Sequence, residues 1–229
     1  MNRVIIPASG TGTRLGASIP KQFLELNGEP ILKRTISVFQ KLDIIDEIIV
    51  TVPIGYTQTV VNYGFSKVHH IIDGGTSRAS SVYLALQYMP EDTGIVLIHD
   101  GVRPFINDEL VQAVVSAVKI NDAAIACIPV TDTIKETDAI GKITKTPNRN
   151  NLWRAQTPQG FTYDLINNAY QQAEKDGILD KITDDAMLVE RIGVPVYIVP
   201  STPKNIKITT AEDLIIARAF LEENNKCRK

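Results

Sequence analysis

The sequence lacks several features that define whole classes of proteins. Its two cysteines, Cys127 and Cys227, lie far apart without metal-ligand spacing, which indicates a reducing, cytoplasmic compartment. No run of about eighteen apolar residues is present, so no membrane partner is predicted. The first apolar run, Val4–Ile6, follows Met1 so closely that we expect no signal peptide. A net charge of −2 and a pI near 5.9 argue against nucleic acid as a partner.

What the sequence does contain is an alternation of short apolar runs and amphipathic segments. The runs are rich in Val and Ile, as in strands buried on both faces of a parallel sheet. Between them, residues such as Leu32, Ile36 and Phe39 recur at helical spacing, and Asn107 and Thr210 are predicted helix N-caps. The candidate strands are Arg3–Pro7, Glu47–Pro53, Val68–Ile72, Ile95–His99, Ala123–Val130, Val196–Val199 and Asn205–Ile208. This alternation predicts one α/β domain over residues 1–229, with a doubly wound, mostly parallel sheet.

One segment, at about 131–150, departs from this alternation. Two polar, β-rich runs flank Asp138–Gly141, a turn-like tetrapeptide, and together they predict a protruding β-hairpin. Because little besides Ile134, Ile143 and the turn's own apolar residues is hydrophobic, the hairpin cannot belong to the core. It is either a solvated excursion or an arm that reaches another subunit, and composition alone favours the solvated excursion.

The segment Pro7–Phe23, PASGTGTRLGASIPKQF, contains three glycines, two cations and no acid. A glycine-rich turn after a strand lets backbone N–H groups approach phosphate oxygens. The dinucleotide fingerprint fails because Leu15 occupies the place of its third glycine, and no Gly-Lys-Ser/Thr follows for a P-loop. Arg14 and Lys21 suit a polyphosphate whose charge grows in the transition state. The alternative is a surface turn with two solvated cations.

Two further glycine turns follow predicted strands. In Asp73–Arg78, glycines allow close approach to a base or ribose, although the motif taken alone favours a plain glycine turn with an N-cap serine. In the block HDGVRP, Asp100 follows a buried strand, where open α/β sheets bind ligands and where a carboxylate can hold Mg²⁺. The alternative is a structural ion pair between Asp100 and Arg103. His99 has no partner at zinc-ligand spacing, and we interpret it as structural.

Seven ordered blocks resemble the 2-C-methyl-D-erythritol 4-phosphate cytidylyltransferase family of non-mevalonate isoprenoid synthesis. The blocks are PASGTGTRLG…PKQF, GGTSRASSV, HDGVRPF, PVTDTIK, NRNNLWRAQTPQGF, TDDAMLVE and NIKITTAEDL. The resemblance implies a Rossmann-like fold of the nucleotide-diphospho-sugar transferase type. It implies transfer of a cytidylyl group from CTP to the polyol phosphate, with Mg²⁺ and release of pyrophosphate. It also implies a homodimer in which the arm at 131–150 contributes to the neighbouring active site.

The resemblance assigns roles residue by residue. It implies that Arg14 and Lys21 stabilise the triphosphate and the transition state, and that Arg149 and Lys207 position the acceptor phosphate. The implied nucleotide contacts are Ala8, Ser9, Gly10, Gly75, Ser81, Asp100 and Gly101, of which Asp100 is also the implied metal ligand. The implied contacts to the methylerythritol phosphate are Arg103, Thr133, Thr157 and Thr183, in part across the dimer.

Departures from the family pattern keep alternatives open. Ser9 stands where alanine is more frequent, and Gly101-Val102 stands where two alanines are typical. The second departure leans towards D-ribitol-5-phosphate cytidylyltransferase, which shares the PKQF, TPQ and NIKIT blocks. A dinucleotide-dependent oxidoreductase is disfavoured by the misplaced third glycine and by the loop cations. A nucleotide-binding regulatory module without activity is disfavoured by the intact set of charged residues.

Overall fold

A seven-stranded sheet forms the centre of the protein. The structure is a computed structural model that describes residues 1–10 and 19–226, without the side chains of 224–226. In chain order the strands are β1 (Asn2–Pro7), β2 (Glu47–Val52), β3 (Val68–Asp73), β4 (Ile95–Ile98), β5 (Ala123–Pro129), β6 (Trp153–Thr162) and β7 (Tyr197–Pro200). Their order across the sheet is β7-β5-β6-β4-β1-β2-β3. Strand β6 runs antiparallel to both neighbours, and the other adjacent pairs are parallel. The predicted Rossmann-like, mostly parallel sheet is confirmed.

Helices cover both faces of this sheet. They are α1 (Ile31–Lys41), α2 (Thr57–Val61), α3 (Arg78–Leu86), α4 (Asp108–Asn121), α5 (Tyr163–Lys175), α6 (Ala186–Arg191) and α7 (Ala211–Lys226). Because successive strand residues point to opposite faces, Val4 and Ile6 pack with α1 and α4, whereas Ile5 packs with α3, α5 and α6. Within the described ranges, no helix has the length and apolarity needed to cross a membrane.

The predicted N-caps are present. The Asn107 side chain accepts a hydrogen bond from the Leu110 N–H at 3.2 Å, at the start of α4. At the start of α7, the Thr210 hydroxyl accepts from the Asp213 N–H at 3.3 Å, and the Asp213 carboxylate accepts from the Thr210 N–H at 2.9 Å. These reciprocal bonds satisfy N–H groups that a helix N-terminus otherwise leaves unpaired.

Two strand assignments differ from the sequence prediction. The predicted strand Asn205–Ile208 is wrong, since this segment has no regular structure and its apolar residues instead pack against Val102 under α7. Strand β6 was not predicted, because glutamines, a proline and a glycine interrupt its apolar pattern. It carries a bulge between Ala155 and Gln159, and its Thr157-Pro158 peptide bond is cis.

The hairpin predicted at about 131–150 is confirmed. Glu136–Thr137 pairs antiparallel with Ile143–Lys145, and the turn is held by the Asp138 carboxylate, which accepts from the Ile140 and Lys142 N–H groups. The side chains from 131 to 146 are exposed in the single chain. The hairpin therefore contributes nothing to the core of its own subunit.

Candidate active site

A cavity of about 540 Å³ opens at the carboxyl edge of the sheet. It lies at the ends of β1 and β4, which are neighbours in the sheet although β2 and β3 separate them in the chain. The direction of winding reverses there, and open α/β sheets bind ligands at such a switch point. The lining residues are Pro7, Ala8, Ser9, Gly10, Lys21, Gln22, Gly75, Thr76, Ser77, Arg78, Asp100, Val102 and Lys207.

One wall of the cavity joins the loop after β1 to the N-terminus of α3. The Ser81 hydroxyl donates to the Ser77 carbonyl at 2.8 Å and accepts from the Gly75 N–H at 3.0 Å. Its single proton is thereby used, so Ser9, 2.7 Å away, donates to it. A Cβ at Gly74 would lie 2.1 Å from Ser9 Cβ, so this approach requires glycine. Ser9 and Gly75 line the cavity, and the buried Ser81 is hydrogen-bonded to both of them.

The cation Lys21 is placed in the cavity by its neighbour Gln22. The buried Gln22 amide donates to the Ala8 carbonyl, and to the Gly10 carbonyl at 3.0 Å. These bonds attach the short 3₁₀ helix Lys21–Phe23 to the loop after β1. Sequence reasoning missed Gln22, although it stands inside the PKQF block. Arg14, the predicted partner of Lys21, lies outside the described residues.

Asp100, the second residue after the end of β4, pairs with three cations. Its Oδ1 lies 3.0 Å from Arg78 Nε, and its Oδ2 lies 3.0 Å from Lys207 Nζ and 3.2 Å from Arg103 Nε. Burial alone would raise the pKa of this carboxyl, but the charges of Arg78, Lys207 and Arg103 outweigh it and hold the pKa far below its usual value. Asp100 is therefore ionised, and it organises positive charge at the cavity floor.

Arg78 connects Asp100 to a second, fully buried acid that sequence reasoning did not single out. Arg78 Nη1 and Nη2 donate to the two carboxylate oxygens of Asp185 at 3.0 and 2.8 Å. The Tyr170 hydroxyl donates to the same carboxylate at 2.5 Å. Arg78 stands in the GGTSRASSV block and Asp185 in the TDDAMLVE block. The blocks marked both segments, but only the fold shows that they meet.

Behind Asp100, a chain of hydrogen bonds fixes the turn after β4. The Thr157 hydroxyl accepts from the Asp100 N–H at 3.1 Å, so its proton is directed to His99 Nδ1 at 3.0 Å. His99 Nε2 then donates to the Arg103 carbonyl at 3.1 Å. His99 is buried with both ring nitrogens paired, and this burial lowers its pKa to about 4. This is the structural role expected for it.

Arg103 and Thr157 are thus placed behind the cavity rather than along its lining. Arg103 is buried, and besides Asp100 it binds the Asn205 carbonyl through Nη1 at 2.9 Å. The Asn205 side chain in turn donates to the Thr157 carbonyl at 2.8 Å. In the single chain these residues support Asp100, and their contact with the acceptor stays a prediction.

Gly101 and Val102, where the chain departs from the family pattern, are packing positions. A Cβ on Gly101 would lie 2.9 Å from Ala8 Cβ and 3.0 Å from Leu32 Cδ1. Val102 packs with Ile208 in the small apolar cluster under α7, while also lining the cavity. The pair therefore sets how closely the turn packs against its neighbours, and the predicted contact of Gly101 with the nucleotide stays a prediction.

Thr133, Arg149 and Thr183 are not brought to the cavity within the single chain. Thr133 and Arg149 are exposed at the hairpin, and Arg149 Nη1 donates to the Thr131 carbonyl at 2.7 Å. Thr183 is also exposed and contacts Met187 Sδ at 3.8 Å. The roles that the resemblance implies for these three residues stay predictions.

Asp100 supplies one carboxylate to the described part of the cavity, which is too few ligands for a divalent cation that is not shared with a substrate. Among the described residues, no group of three or more His, Cys, Asp or Glu side chains could hold a metal by itself. Mg²⁺ is commonly held by one or two carboxylates together with substrate phosphates and water. Asp100 is the carboxylate in the described lining of the cavity, and Lys207, whose side chain is 38% exposed, is the most accessible of its three partners.

Comparison with known families identifies the chain. The family model described as 2-C-methyl-D-erythritol 4-phosphate cytidylyltransferase matches residues 3–223. The chain belongs to this family. A curated relative of that description from Geobacter metallireducens is 44% identical over 227 residues, covering 96% of this chain and 97% of the relative. Another from Alkaliphilus oremlandii is 43% identical over 231 residues, covering 98% and 97%.

Solved structures of the family share the architecture described above. The 4-diphosphocytidyl-2C-methyl-D-erythritol synthase of Anaerococcus prevotii superposes with a TM-score of 0.87 at 31% identity, covering 97% of this chain and 96% of that one. The 2-C-methyl-D-erythritol 4-phosphate cytidylyltransferase of Thermus thermophilus superposes with a TM-score of 0.80 at 32% identity, covering 96% and 98%. The fold and family of the chain are therefore established together.

Proposed function

We propose that this protein transfers the cytidylyl group of CTP to 2-C-methyl-D-erythritol 4-phosphate, giving 4-CDP-2-C-methyl-D-erythritol and pyrophosphate. The observation that carries the proposal is the cavity at the β1–β4 switch point, where Lys21, Arg78 and Lys207 line the same wall space as Asp100 and the last two cations pair with it. Such a collection of cations suits a reaction between two anions. Membership of the family supplies the substrate identities.

The nucleotide fits the side of the cavity formed by the loop after β1. We assign the triphosphate to the backbone of Ala8–Gly10 and to Lys21, which the short helix Lys21–Phe23 carries into the cavity. Gly75 and the hydroxyl groups at the start of α3 then face the ribose and the base. Because these groups are held by hydrogen bonds before substrate arrives, little reorganisation accompanies the reaction. Arg14 is assigned to the same triphosphate on the strength of the family resemblance.

The chemical step is an in-line displacement at the α-phosphorus of CTP. An oxygen of the acceptor phosphate forms a bond to the α-phosphorus while the bond to the bridging oxygen of pyrophosphate breaks, and the leaving pyrophosphate keeps the electron pair. A phosphate monoester is a competent nucleophile at neutral pH, so no general base is required. Positioning and charge stabilisation then supply most of the rate.

Lys207 is assigned to the acceptor phosphate. Its ammonium binds Asp100 at 3.0 Å, but its side chain remains 38% exposed at the cavity. A lysine carries its charge on a flexible stem, so Lys207 can turn from Asp100 towards an incoming anion. Asp100 would hold Mg²⁺, which would supply positive charge to offset the negative charge of the CTP phosphates.

The hairpin is proposed to act as a dimerisation arm. Its side chains are exposed in the single chain, including Ile140 at 88% and Ile143 at 56%. Exposed apolar groups on a protruding element favour contact with a second copy over solvation. We therefore assign Thr133 and Arg149 to the active site of the partner subunit, where they would bind the methylerythritol phosphate.

Pyrophosphate release tests the function directly. The purified protein is mixed with CTP and Mg²⁺ and with either methylerythritol phosphate or ribitol 5-phosphate in parallel. We expect release with methylerythritol phosphate only. Release with ribitol phosphate only would keep the chemistry but replace the acceptor, and no release with either would refute the proposal. Replacing CTP by ATP is the matched control for the nucleotide.

A further inference from the structure

The acid Asp185 is completely buried and does not line the cavity. Both carboxylate oxygens accept from the guanidinium of Arg78, at 3.0 and 2.8 Å, and one also accepts from Tyr170. A buried charge is costly unless it is paired and hydrogen-bonded, and it is then seldom a source of net stability. The arrangement therefore calls for an explanation other than stability.

Asp185 is itself held in a fixed position. The side-chain carbonyl of Gln159, on β6, accepts from the backbone N–H groups of Asp185 and Ala186, both at 3.0 Å. The Tyr170 hydroxyl reaches the carboxylate from α5. Two elements besides the Arg78 pair thus fix the place and the orientation of this carboxylate.

Arg78 is placed where local helix energetics do not favour it. It is the first residue of α3, and a cation in the first turn opposes the helix dipole. Two carboxylates compensate for this, because Nε donates to Asp100 while the two Nη atoms donate to Asp185. Three of the five N–H donors of the guanidinium are thereby used. The side chain is still 28% exposed, and it lines the cavity.

We propose that Asp185 is a positioning residue, which locks the Arg78 guanidinium so that it orients Asp100 and presents its remaining N–H groups to the triphosphate of CTP. This inference rests on the proposed function. Arg78 and Lys207 then have different tasks at the same carboxylate. Arg78 is held by a bidentate pair with Asp185 and stays in place, whereas Lys207 pairs with Asp100 through its single ammonium and moves to the acceptor.

Chemical rescue tests this inference. Arg78→Ala removes the guanidinium and leaves a gap between two carboxylates, and we expect kcat to fall by about 100-fold. Added guanidinium ion should restore kcat saturably, whereas methylammonium should not, because only the planar fork matches Asp185. In the double variant Arg78→Ala/Asp185→Asn, rescue should be lost. Equal rescue of both variants, or wild-type kcat in Arg78→Ala alone, would overturn the inference.

A milder variant decides the question if Arg78→Ala does not fold. Tyr170→Phe removes one hydrogen bond to Asp185 and no charge, and we expect about a tenfold lower kcat, in the range seen when outer-shell partners of an active site are removed. Tyr83→Phe is the matched control, because Tyr83 stacks on Tyr170 at 6.0 Å without touching Asp185, and its kcat should be unchanged. A Tyr170→Phe protein with a lowered melting temperature but wild-type kcat would show a merely structural role and overturn the inference.

Failure of the inference is distinguishable from failure of the proposed function. Wild-type pyrophosphate release is measured first, and its absence refutes the function whatever the variants do. The lock itself has a readout that needs no reaction. Low concentrations of guanidinium chloride should raise the melting temperature of Arg78→Ala relative to sodium chloride, and they should not do so in the double variant. A rise of equal size in both proteins would contradict the assigned geometry.

Discussion

The three cations that pair with Asp100 differ in burial and in their number of partners. Arg103 is buried behind Asp100, Arg78 is fixed at the cavity wall, and Lys207 remains accessible. Equal charge therefore does not mean equal function, because burial and the number of partners decide which side chain can move. A guanidinium paired on two sides keeps its place, and an ammonium on a flexible stem can exchange partners.

The first residue-scale prediction separates Lys207 from Lys21. Lys207→Ala should lower kcat by about 100-fold while leaving the Kd of CTP within about threefold, because we assign Lys207 to the acceptor phosphate. Lys21→Ala should weaken both CTP binding and turnover. Calorimetry of CTP binding and steady-state pyrophosphate release make the comparison. Loss of CTP binding in Lys207→Ala with unchanged turnover at saturation would reverse the assignment.

The second residue-scale prediction concerns His99 and pH. Its pKa is lowered from 6.5 to about 4, because burial disfavours the charged ring. Between pH 6.5 and 4 the folded protein therefore binds fewer protons than the unfolded chain. The contribution of neutral His99 to the unfolding free energy is present above pH 6.5 and is lost as the pH falls towards 4. Between pH 7 and 5 the wild type should lose about 2 kcal/mol more unfolding free energy than His99→Gln. Urea unfolding at several pH values measures this, and parallel curves would contradict it.

At the scale of elements, the site depends on contacts between segments that are distant in the chain. The loop after β1 meets α3 through Ser9 and Ser81, and it meets the short helix Lys21–Phe23 through Gln22. Strand β6 supplies Thr157 to the turn after β4 and Gln159 to the start of α6. Strand β6, which sequence reasoning missed, therefore binds the backbone N–H groups of both buried acids, Asp100 and Asp185.

The element-scale prediction tests the close approach at Gly74. Gly74→Ala places a Cβ 2.1 Å from Ser9 Cβ, so the loop after β1 must shift, and kcat/KM for CTP should fall by about 100-fold. Adding Ser9→Gly should restore part of the loss, because it removes the atoms that collide. Gly94→Ala is the control, since its Cβ would meet nothing closer than 3.4 Å. Wild-type kinetics in Gly74→Ala would show that the two segments are not coupled.

At the scale of the whole molecule, a single chain does not assemble every residue that the family resemblance assigns to the site. Lys21, Asp100 and Lys207 line one cavity, whereas Thr133 and Arg149 lie on the exposed hairpin. A symmetric dimer would resolve this if each hairpin reached the cavity of its partner. The proposed dimer would then be required for catalysis as well as for packing.

The whole-molecule prediction is complementation between inactive variants. Mixing and reassociating equal amounts of Lys21→Ala and Arg149→Ala should recover about a quarter of wild-type activity, because half of the dimers are mixed and each has one intact site. Lys21→Ala mixed with Lys207→Ala is the matched control and should recover none, since both residues belong to the same cavity. Equal results in the two mixtures, or a monomer in solution, would refute the arm exchange.

The sequence by itself determined the α/β class, most strand positions and the family. Dense runs of Val and Ile predict strands buried on both faces, and ordered glycine and charge blocks mark the loops at their ends. Lys21 and Asp100 were predicted as site residues for this reason and Lys207 from the family resemblance, and the structure places all three in one cavity. These features depend on residues that are close together in the chain, so they can be recognised from the sequence alone.

Only the tertiary structure decided which of these loops meet. The prediction of a strand at Asn205–Ile208 failed because a few apolar residues can pack under a helix as well as in a sheet. Strand β6 was missed because its partners on both sides, rather than its own apolar pattern, hold it in the sheet. The Arg78–Asp185 pair spans 107 residues, and no spacing rule connects them. Contacts of this kind depend on how the chain returns to the sheet, which is a property of the whole fold.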